Sequence, residues 1–266
     1  MDAPELFKYP RTHHVEGSRL QPGDEDLSSI SFRELAGRHL VVEEKMDGAN
    51  SALSFTPGGE LLLQSRGHFL TGGRREKHFN RFKQWGQAHA HAFWPALGDR
   101  YVMYGEWLYA RHTIFYNALP HYFMEFDVLD KRSGDFLDTP RRAELLAGLP
   151  VVSVSVLRAG ELASLAELVD LLGPSGFIRG EWLGELADLA AKMSLDPDRA
   201  LAETDASRDM EGLYIKVEES GKVIERYKYI RASFLTTVVQ SNTHWLSRPI
   251  IPNQLLPGVD LFRAAT

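Results

Sequence analysis

The stretch 42-VEEKMDGANSALSF-55 decides how this chain is read. Its apolar residues look like a strand, yet Lys45 sits among them and Met46-Asp47-Gly48-Ala49-Asn50 follows. A plain strand is poor in Asp, Gly and Asn. Either the segment is a tight hairpin, or the strand ends by presenting Lys45 to something.

The surroundings bound the choice. The chain has 266 residues, enough for one large domain or two small ones. Hydrophobic residues make up 44% and charged residues 25%, an ordinary globular balance. No apolar run approaches the roughly 20 residues that span a bilayer, so no membrane partner is expected. MDAPELFKYPR has no apolar segment after its first charges, so a signal peptide is not expected. Cysteine is absent, which removes disulfides, thiolate nucleophiles and cysteine-based zinc sites and suits a cytoplasmic setting. The net charge of −6 argues against a nucleic-acid partner only on average, because local fields decide. In 74-RREKHFNRFK-83, Arg74, Arg75, Lys77, Arg81 and Lys83 face a single acid, Glu76, with Phe79 and Phe82 at helical spacing. That is either a solvated helix face over a core stripe or a surface that tracks phosphates.

Along the chain, residues 1–30 read as an ordered loop, because prolines and glycines interrupt them. SFRELAG (31–37) reads as a short helix capped by Ser31 and ended by Gly37. Strands are expected at 39–45, 51–55 and 61–66, the last two joined by a TPGGE turn. A helix is expected at 78–97, then aromatic-rich strands at 100–109 and 121–130. Thr139 is a candidate cap for a helix over PRRAELLAGL, followed by a strand at 151–157 and helices at 164–173 and 181–193. EGLYIKVE (211–218) and KVIERYKYIR (222–231) form a hairpin turning at Glu219-Ser220-Gly221. Strands at both ends of the core with helices between them predict an α+β fold of antiparallel sheets flanked by helices. A single domain is expected: an extension at 1–38, a core at 39–138 and 206–231, a mostly helical insertion at 139–205 and a C-terminal segment at 232–266.

Four short motifs stand in order: Lys45-Met46-Asp47-Gly48, Gly105-Glu106, Glu211-Gly212-Leu213-Tyr214-Ile215-Lys216 and Arg226-Tyr227-Lys228. Each alone has a plain structural reading, such as a hairpin edge or a lysine-rich strand that blocks aggregation. Together with Phe126-Asp127 they resemble the covalent nucleotidyltransferases, the superfamily of polynucleotide ligases and mRNA-capping guanylyltransferases, over residues 40–231. Three features look most like the RNA ligase 2 branch. They are Glu44-Lys45-Met46-Asp47-Gly48-Ala49-Asn50, Lys216 five residues after Glu211, and Phe126 twenty residues beyond Glu106. One position departs: Arg226 stands where RNA ligases usually have lysine, although arginine still offers a phosphate fork. After Arg231 only 35 residues remain, whereas DNA ligases and capping enzymes append an OB-fold of about 80–100 residues.

The resemblance implies a nucleotidyltransferase (ligase adenylylation-domain) fold and an ATP-dependent RNA ligase. Lys45 is then the nucleophile that takes AMP. A lysine must be unprotonated to attack, against an ordinary pKa of about 10.4. Burial and neighbouring cations, here Lys216, Lys228 and a metal ion, are expected to lower it. Mg²⁺ or Mn²⁺ is implied to neutralise the pyrophosphate, held by Glu106 and Glu211 directly or through water. Phe126 is the expected adenine stack, with Phe123 on the opposite strand face. Glu44 is expected at the purine edge and Asn50 at phosphate or ribose. Asp47 and Gly48 belong to the nucleotide-binding turn. Arg66 is expected near the nucleotide phosphate and the RNA 5′-phosphate. Lys216 and Lys228, helped by Arg226, are expected to clamp the α-phosphate. Candidate RNA contacts are Arg74, Arg75, Lys77 and, with Lys8 and Arg11, Arg19. The implied partner is RNA with 3′-OH and 5′-phosphate ends, prepared where needed by a separate end-healing kinase or phosphatase. Competing readings are a DNA nick ligase or other nucleotidyltransferase, and an RNA-end binding module without turnover. His89 and His91 face apart on a helix, so no metal site is expected there.

Overall fold

A computed structural model describes residues 4–20, 27–240 and 248–263. Most of the strands join one long, largely antiparallel sheet whose order pairs distant parts of the chain. One half is built from β3 (Leu40–Lys45), β10 (Val156–Gly160), β11 (Gly212–Glu219) and β12 (Lys222–Ile230), in the order β10-β3-β11-β12. The other half holds β4 (Ala49–Phe55), β5 (Leu61–Ser65), β6 (Tyr101–Trp107) and β7 (Phe123–Asp130), in the order β7-β6-β4-β5. The short β8 (Phe136–Leu137) joins the halves between β12 and β7. Asp47 and Gly48 separate β3 from β4, so the chain changes halves immediately after Lys45.

Each half is apolar on its outer face. Leu40, Val42, Leu213, Ile215 and Val217 are buried together with Phe32 and Leu168. Leu53, Phe55, Met103 and Phe123 pack under α1 (Asn80–Leu97) through Phe82, Trp85 and Phe93. Fully burying side chains of this size is worth about 1.5–3 kcal/mol each. The inner faces carry charge instead. Lys216 on β11 pairs with Glu43 on β3 (2.9 Å) and Asp127 on β7 (3.3 Å), and it donates to the Phe126 carbonyl oxygen. Arg142 of α2 (Thr139–Leu146) donates to Glu43 (2.9 Å) and Glu125 (3.2 Å), tying β3 to β7. Buried charges survive only when paired in this way.

Several local expectations need correction. Residues 1–30 are not wholly loop: β1 (His13–Val15) pairs in parallel with β12 and with β2 (Ser29–Ile30). Parallel pairing of strands of three and two residues leaves no periodicity to read. Residues 1–3 and 21–26 of that segment lie outside the described residues. The helix after Ser31 is a single 3-10 turn, Phe32–Glu34, closed by a capping box between Ser31 and Glu34. Thr139 is not the cap of α2. Asp138 accepts from the Arg141 amide at 3.1 Å, and the Thr139 hydroxyl donates to Glu218 at 2.7 Å. The strand expected at 151–157 is split in two. β9 (Val152–Ser153) pairs with β7 and β10 with β3, so the chain crosses between halves at Val154 and Ser155. The segment 139–205 therefore lends strands to the sheet as well as helices, α3 (Leu165–Val169), α4 (Trp182–Lys192) and α5 (Pro197–Ala202). Past β12 the chain enters α6 (Ala232–Gln240). Among the described residues, no helix is long and apolar enough to cross a membrane.

Candidate functional site

The turn between β3 and β4 opens into a cavity of about 860 Å³ between the two halves. Lys45 ends β3 and directs its ammonium at Glu211, with Nζ 2.8 Å from both carboxylate oxygens. The register explains the meeting: Lys45 pairs with Gly212, so Glu211 emerges beside it. A Cβ on Gly212 would overlap the Tyr229 carbonyl oxygen, so only glycine lets β12 approach here. Gly48 is equally confined. A Cβ there would stand 2.7 Å from Leu108 and 2.8 Å from the Trp107 carbonyl oxygen. Glu106 lies on β6 opposite Asn50 of β4, and both line the cavity.

Asp47 is held firmly. Its Oδ2 accepts from the Thr113 and Ile114 amides, each at 2.7 Å, and its own amide donates to the Tyr116 hydroxyl at 2.9 Å. Burial and the charge of Glu211 nevertheless push its pKa up to about 7. Burial also raises Glu106 to about 8, against the pull of Lys45 and with help from Glu211 and Asp47. The expected lowering of the Lys45 pKa is not found. Burial does pull it down, but Glu211, Glu106 and Asp47 more than offset this and hold the ammonium above its ordinary range.

Most of the residues singled out in the sequence meet in this cavity. Glu44, Lys45, Asp47, Gly48, Asn50, Arg66, Glu106, Phe126, Glu211 and Lys228 all line it. Arg66 is exposed at the rim, just past β5. The Glu44 carboxylate accepts from Ser175 at 2.5 Å and its amide donates to the Ser155 carbonyl at 3.1 Å, so the side chain is committed to the wall. Phe126 faces inward against Tyr9 (ring centroids 5.1 Å apart), and Phe123 packs outward on Trp85 and Phe82.

Two expected phosphate ligands do not reach the cavity. Lys216 is fully buried in the Glu43 and Asp127 layer. Arg226 pairs across from it, with Nε 3.6 Å from Asp127 and the guanidinium over the Phe136 ring at 4.0 Å. Both point inward at positions deeper than Lys228, because side chains two residues apart on a strand share a face but stand about 7 Å apart. The candidate RNA contacts are scattered. Arg19 and Lys77 are exposed, and the Arg19 amide donates to Ile230 at 3.2 Å. Arg74 and Arg75 start a 3-10 helix, Arg74–Phe79, but their side chains lie outside what is described. Within 74–83, Glu76 accepts from Lys83 at 3.0 Å while Phe79 and Phe82 are buried. His89 is a buried core residue, its Nε2 2.8 Å from the Leu261 carbonyl oxygen.

The sequence reading missed the loop at 108–122, Tyr9, Val154 and Arg248, all of which contribute to the cavity or hold its walls. Val154 sits in a periodic segment that marked it only as strand, and the others carry no pattern that ties them to a site.

The comparisons with known proteins come from sequence and from structure. The chain matches the family model described as RNA ligase over residues 38–230. No curated protein matches it. Among solved structures it resembles a lysine-to-alanine mutant of a Naegleria gruberi RNA ligase with ATP and Mn. The TM-score is 0.54 and the identity 16%, over 88% of this chain and 59% of that one. An arginine-to-alanine mutant with ATP and Mn gives a TM-score of 0.53 and 18% identity over 90% and 60%. A ligand-free lysine mutant gives 0.55 and 16% over 88% and 58%. At such identities the likeness is one of fold, and this chain spans about three fifths of the length of those proteins.

Proposed function

Because the chain belongs to the RNA ligase family, we propose that it is an ATP-dependent RNA ligase that joins 3′-OH and 5′-phosphate ends through a lysyl-AMP formed on Lys45. One observation carries this reading. The strand-end ammonium of Lys45 stands in a cavity of about 860 Å³, faced by Asp47 from its own turn, Glu106 from β6, and Glu211 and Lys228 from the β11–β12 hairpin.

The chemistry follows from those positions. Lys45 Nζ attacks the α-phosphorus of ATP. A P–N bond forms, the bond from that phosphorus to the bridging oxygen breaks, and pyrophosphate leaves. The ammonium must first lose a proton, and the Glu211 carboxylate at 2.8 Å is the acceptor in place. An RNA 5′-phosphate oxygen then attacks the same phosphorus, the P–N bond breaks, and Lys45 takes a proton back. Finally a 3′-OH attacks the 5′-phosphate and AMP departs. Lys228 stabilises charge on the α-phosphate, and Phe126 offers the ring for the adenine. Arg66 at the rim meets the RNA 5′-phosphate.

A divalent cation fits this donor set. Burial has crowded Asp47, Glu106 and Glu211 around one ammonium, and the first two titrate near 7 and 8 as a result. Among the described residues no three ligating side chains close into a cage, which suits an ion that keeps its waters. Glu106 and Glu211 would hold Mg²⁺ or Mn²⁺, which when bound would supply positive charge for the leaving pyrophosphate. The implied partners are RNA ends and a separate end-healing kinase or phosphatase. A chain without cysteine supports a cytoplasmic setting.

The test is a covalent label. With Mg²⁺ or Mn²⁺ and ATP labelled at the α-phosphate, the protein is expected to carry label through a denaturing gel, and Lys45→Ala to carry none. Labelled protein should then seal RNA ends in preference to a DNA nick. No label with either metal overturns the reading in favour of an RNA-end binding module.

A further inference from the structure

We propose that Asn253 is a positioning residue for the transfer of AMP to Lys45, acting through Tyr116 on the turn that follows the lysine. The proposal rests on the ligase reading above. It starts from how Asp47 is held. Its amide and its carboxylate are both gripped by one loop, through the Tyr116 hydroxyl and the Thr113 and Ile114 amides. That loop, 108–122, lies between β6 and β7 and has no helix or strand of its own. Something else must give it shape.

The segment 251–256 does so. It runs alongside the loop, with isolated bridges from Ala110 to Pro252 and from Leu119 to Leu255. The Arg111 amide donates to Ile251 at 2.8 Å, and the Gln254 amide donates to Tyr116 at 2.9 Å. Asn253 is the centre of this seam and is 1% exposed. Its Nδ2 donates to the Leu108 carbonyl at 2.7 Å, and its Oδ1 accepts from the Tyr116 amide at 2.9 Å. One side-chain amide thus joins the two ends of the stretch that carries Thr113 and Ile114. Its backbone amide donates to the Tyr109 carbonyl at 2.8 Å, and its carbonyl accepts from the Tyr122 hydroxyl at 2.7 Å. The carboxamide supplies a donor and an acceptor on one planar group without carrying a charge. The route from Asn253 to the lysine is short: Tyr116, the Asp47 amide, then Lys45 two residues back.

Positioning and plain stability are separated by the reaction step they affect. Sealing a pre-adenylylated RNA end makes no bond to Lys45, whereas labelling from ATP does. Two variants serve, Asn253→Asp, which loses the Nδ2 donor, and Tyr116→Phe, which loses only the hydroxyl and keeps the ring. Both rates are measured in single turnover on protein that unfolds cooperatively in urea. In Tyr116→Phe the labelling rate is expected to fall about tenfold, and in Asn253→Asp further, with sealing of the pre-adenylylated end changed by no more than about twofold. Equal losses in both steps, or no loss in either, overturn the proposal. Should Asn253→Asp fail to fold, Tyr116→Phe alone decides. A native chain that takes no label refutes the ligase reading. A native chain that labels normally beside unaffected variants refutes only the role of Asn253.

Discussion

Lys216 and Lys228 lie on neighbouring strands only two residues apart in register, and they serve different ends although a sequence reading treats both as phosphate clamps. Lys216 neutralises Glu43 and Asp127 in a layer closed to solvent, and Asp127 is held below the usual carboxylate range against its own burial by Lys216, Arg226 and Arg142. Removing one partner of a buried pair leaves an uncompensated charge worth roughly 3–5 kcal/mol. Lys216→Ala is therefore expected to unfold at much lower urea, with labelling lost as a consequence. Lys228→Ala is expected to lose labelling by about a hundredfold or more with a far smaller shift of the urea midpoint. Equal midpoints for the two variants would contradict this division. His121 makes a second residue-scale prediction. Burial holds it down at about 4, its Nδ1 lying 2.9 Å from both the amide and the carbonyl of Phe123. The unfolded chain takes up this proton near pH 6.5 and the folded chain only near 4. Stability is thus fully present above 6.5 and falls as pH drops through that window, by roughly 2 kcal/mol at pH 5 from this group. His121→Asn should show a shallower loss between pH 7 and 5 in urea titrations.

At the scale of elements, the β11–β12 hairpin brings Glu211 and Lys228 to the cavity, so its geometry matters more than its length. Its two-residue turn puts Ser220 at φ 52° and Gly221 at φ 84°, the left-handed pair that matches strand twist. Serine is a poor choice there and asparagine a good one, so Ser220→Asn is expected to add roughly 0.5 kcal/mol of stability without touching activity. A destabilised Ser220→Asn would mean that the turn is held by other contacts. The opposite end of the same hairpin is intolerant. Gly212→Ala must push the Tyr229 carbonyl away and with it the register that sets Glu211 beside Lys45. These strands, their turn and the helix over the outer core were legible because they repeat with period two or 3.6. The split at Val154 was not legible. Val-Val-Ser-Val-Ser-Val has one uninterrupted pattern, and the break comes from two bonds to different halves, Val154 to Glu125 and Glu44 to Ser155.

For the whole molecule, the two halves are clamped by charge as well as by apolar packing. Arg142 reaches Glu43 and Glu125 from α2, outside both halves, and its guanidinium is held charged by their carboxylates despite burial. Arg142→Met is expected to destabilise the fold by roughly 3–5 kcal/mol, because Glu125 loses its guanidinium and Glu43 is left with Lys216 alone of the two cations that face it. Repeating the substitution with Glu125 changed to glutamine should recover much of that loss. If it recovers nothing, the clamp is packing and not charge.

The local pattern by itself determined the strands of both halves, the outer apolar faces, and the glycines and acids that bracket Lys45, because these depend on spacing within a few residues. The order of the motifs carried the family resemblance for the same reason. Only the tertiary structure decided which of the charged residues line the cavity and which are buried struts. It set Lys228 in the cavity and Lys216 two positions deeper, raised the Lys45 pKa where a lowering was expected, and brought residues 108–122 and 251–256 under the turn at Asp47. Charge pairing, desolvation and loop support are set by neighbours from about sixty to well over a hundred residues away in the chain, and a one-dimensional pattern holds no distance of that kind.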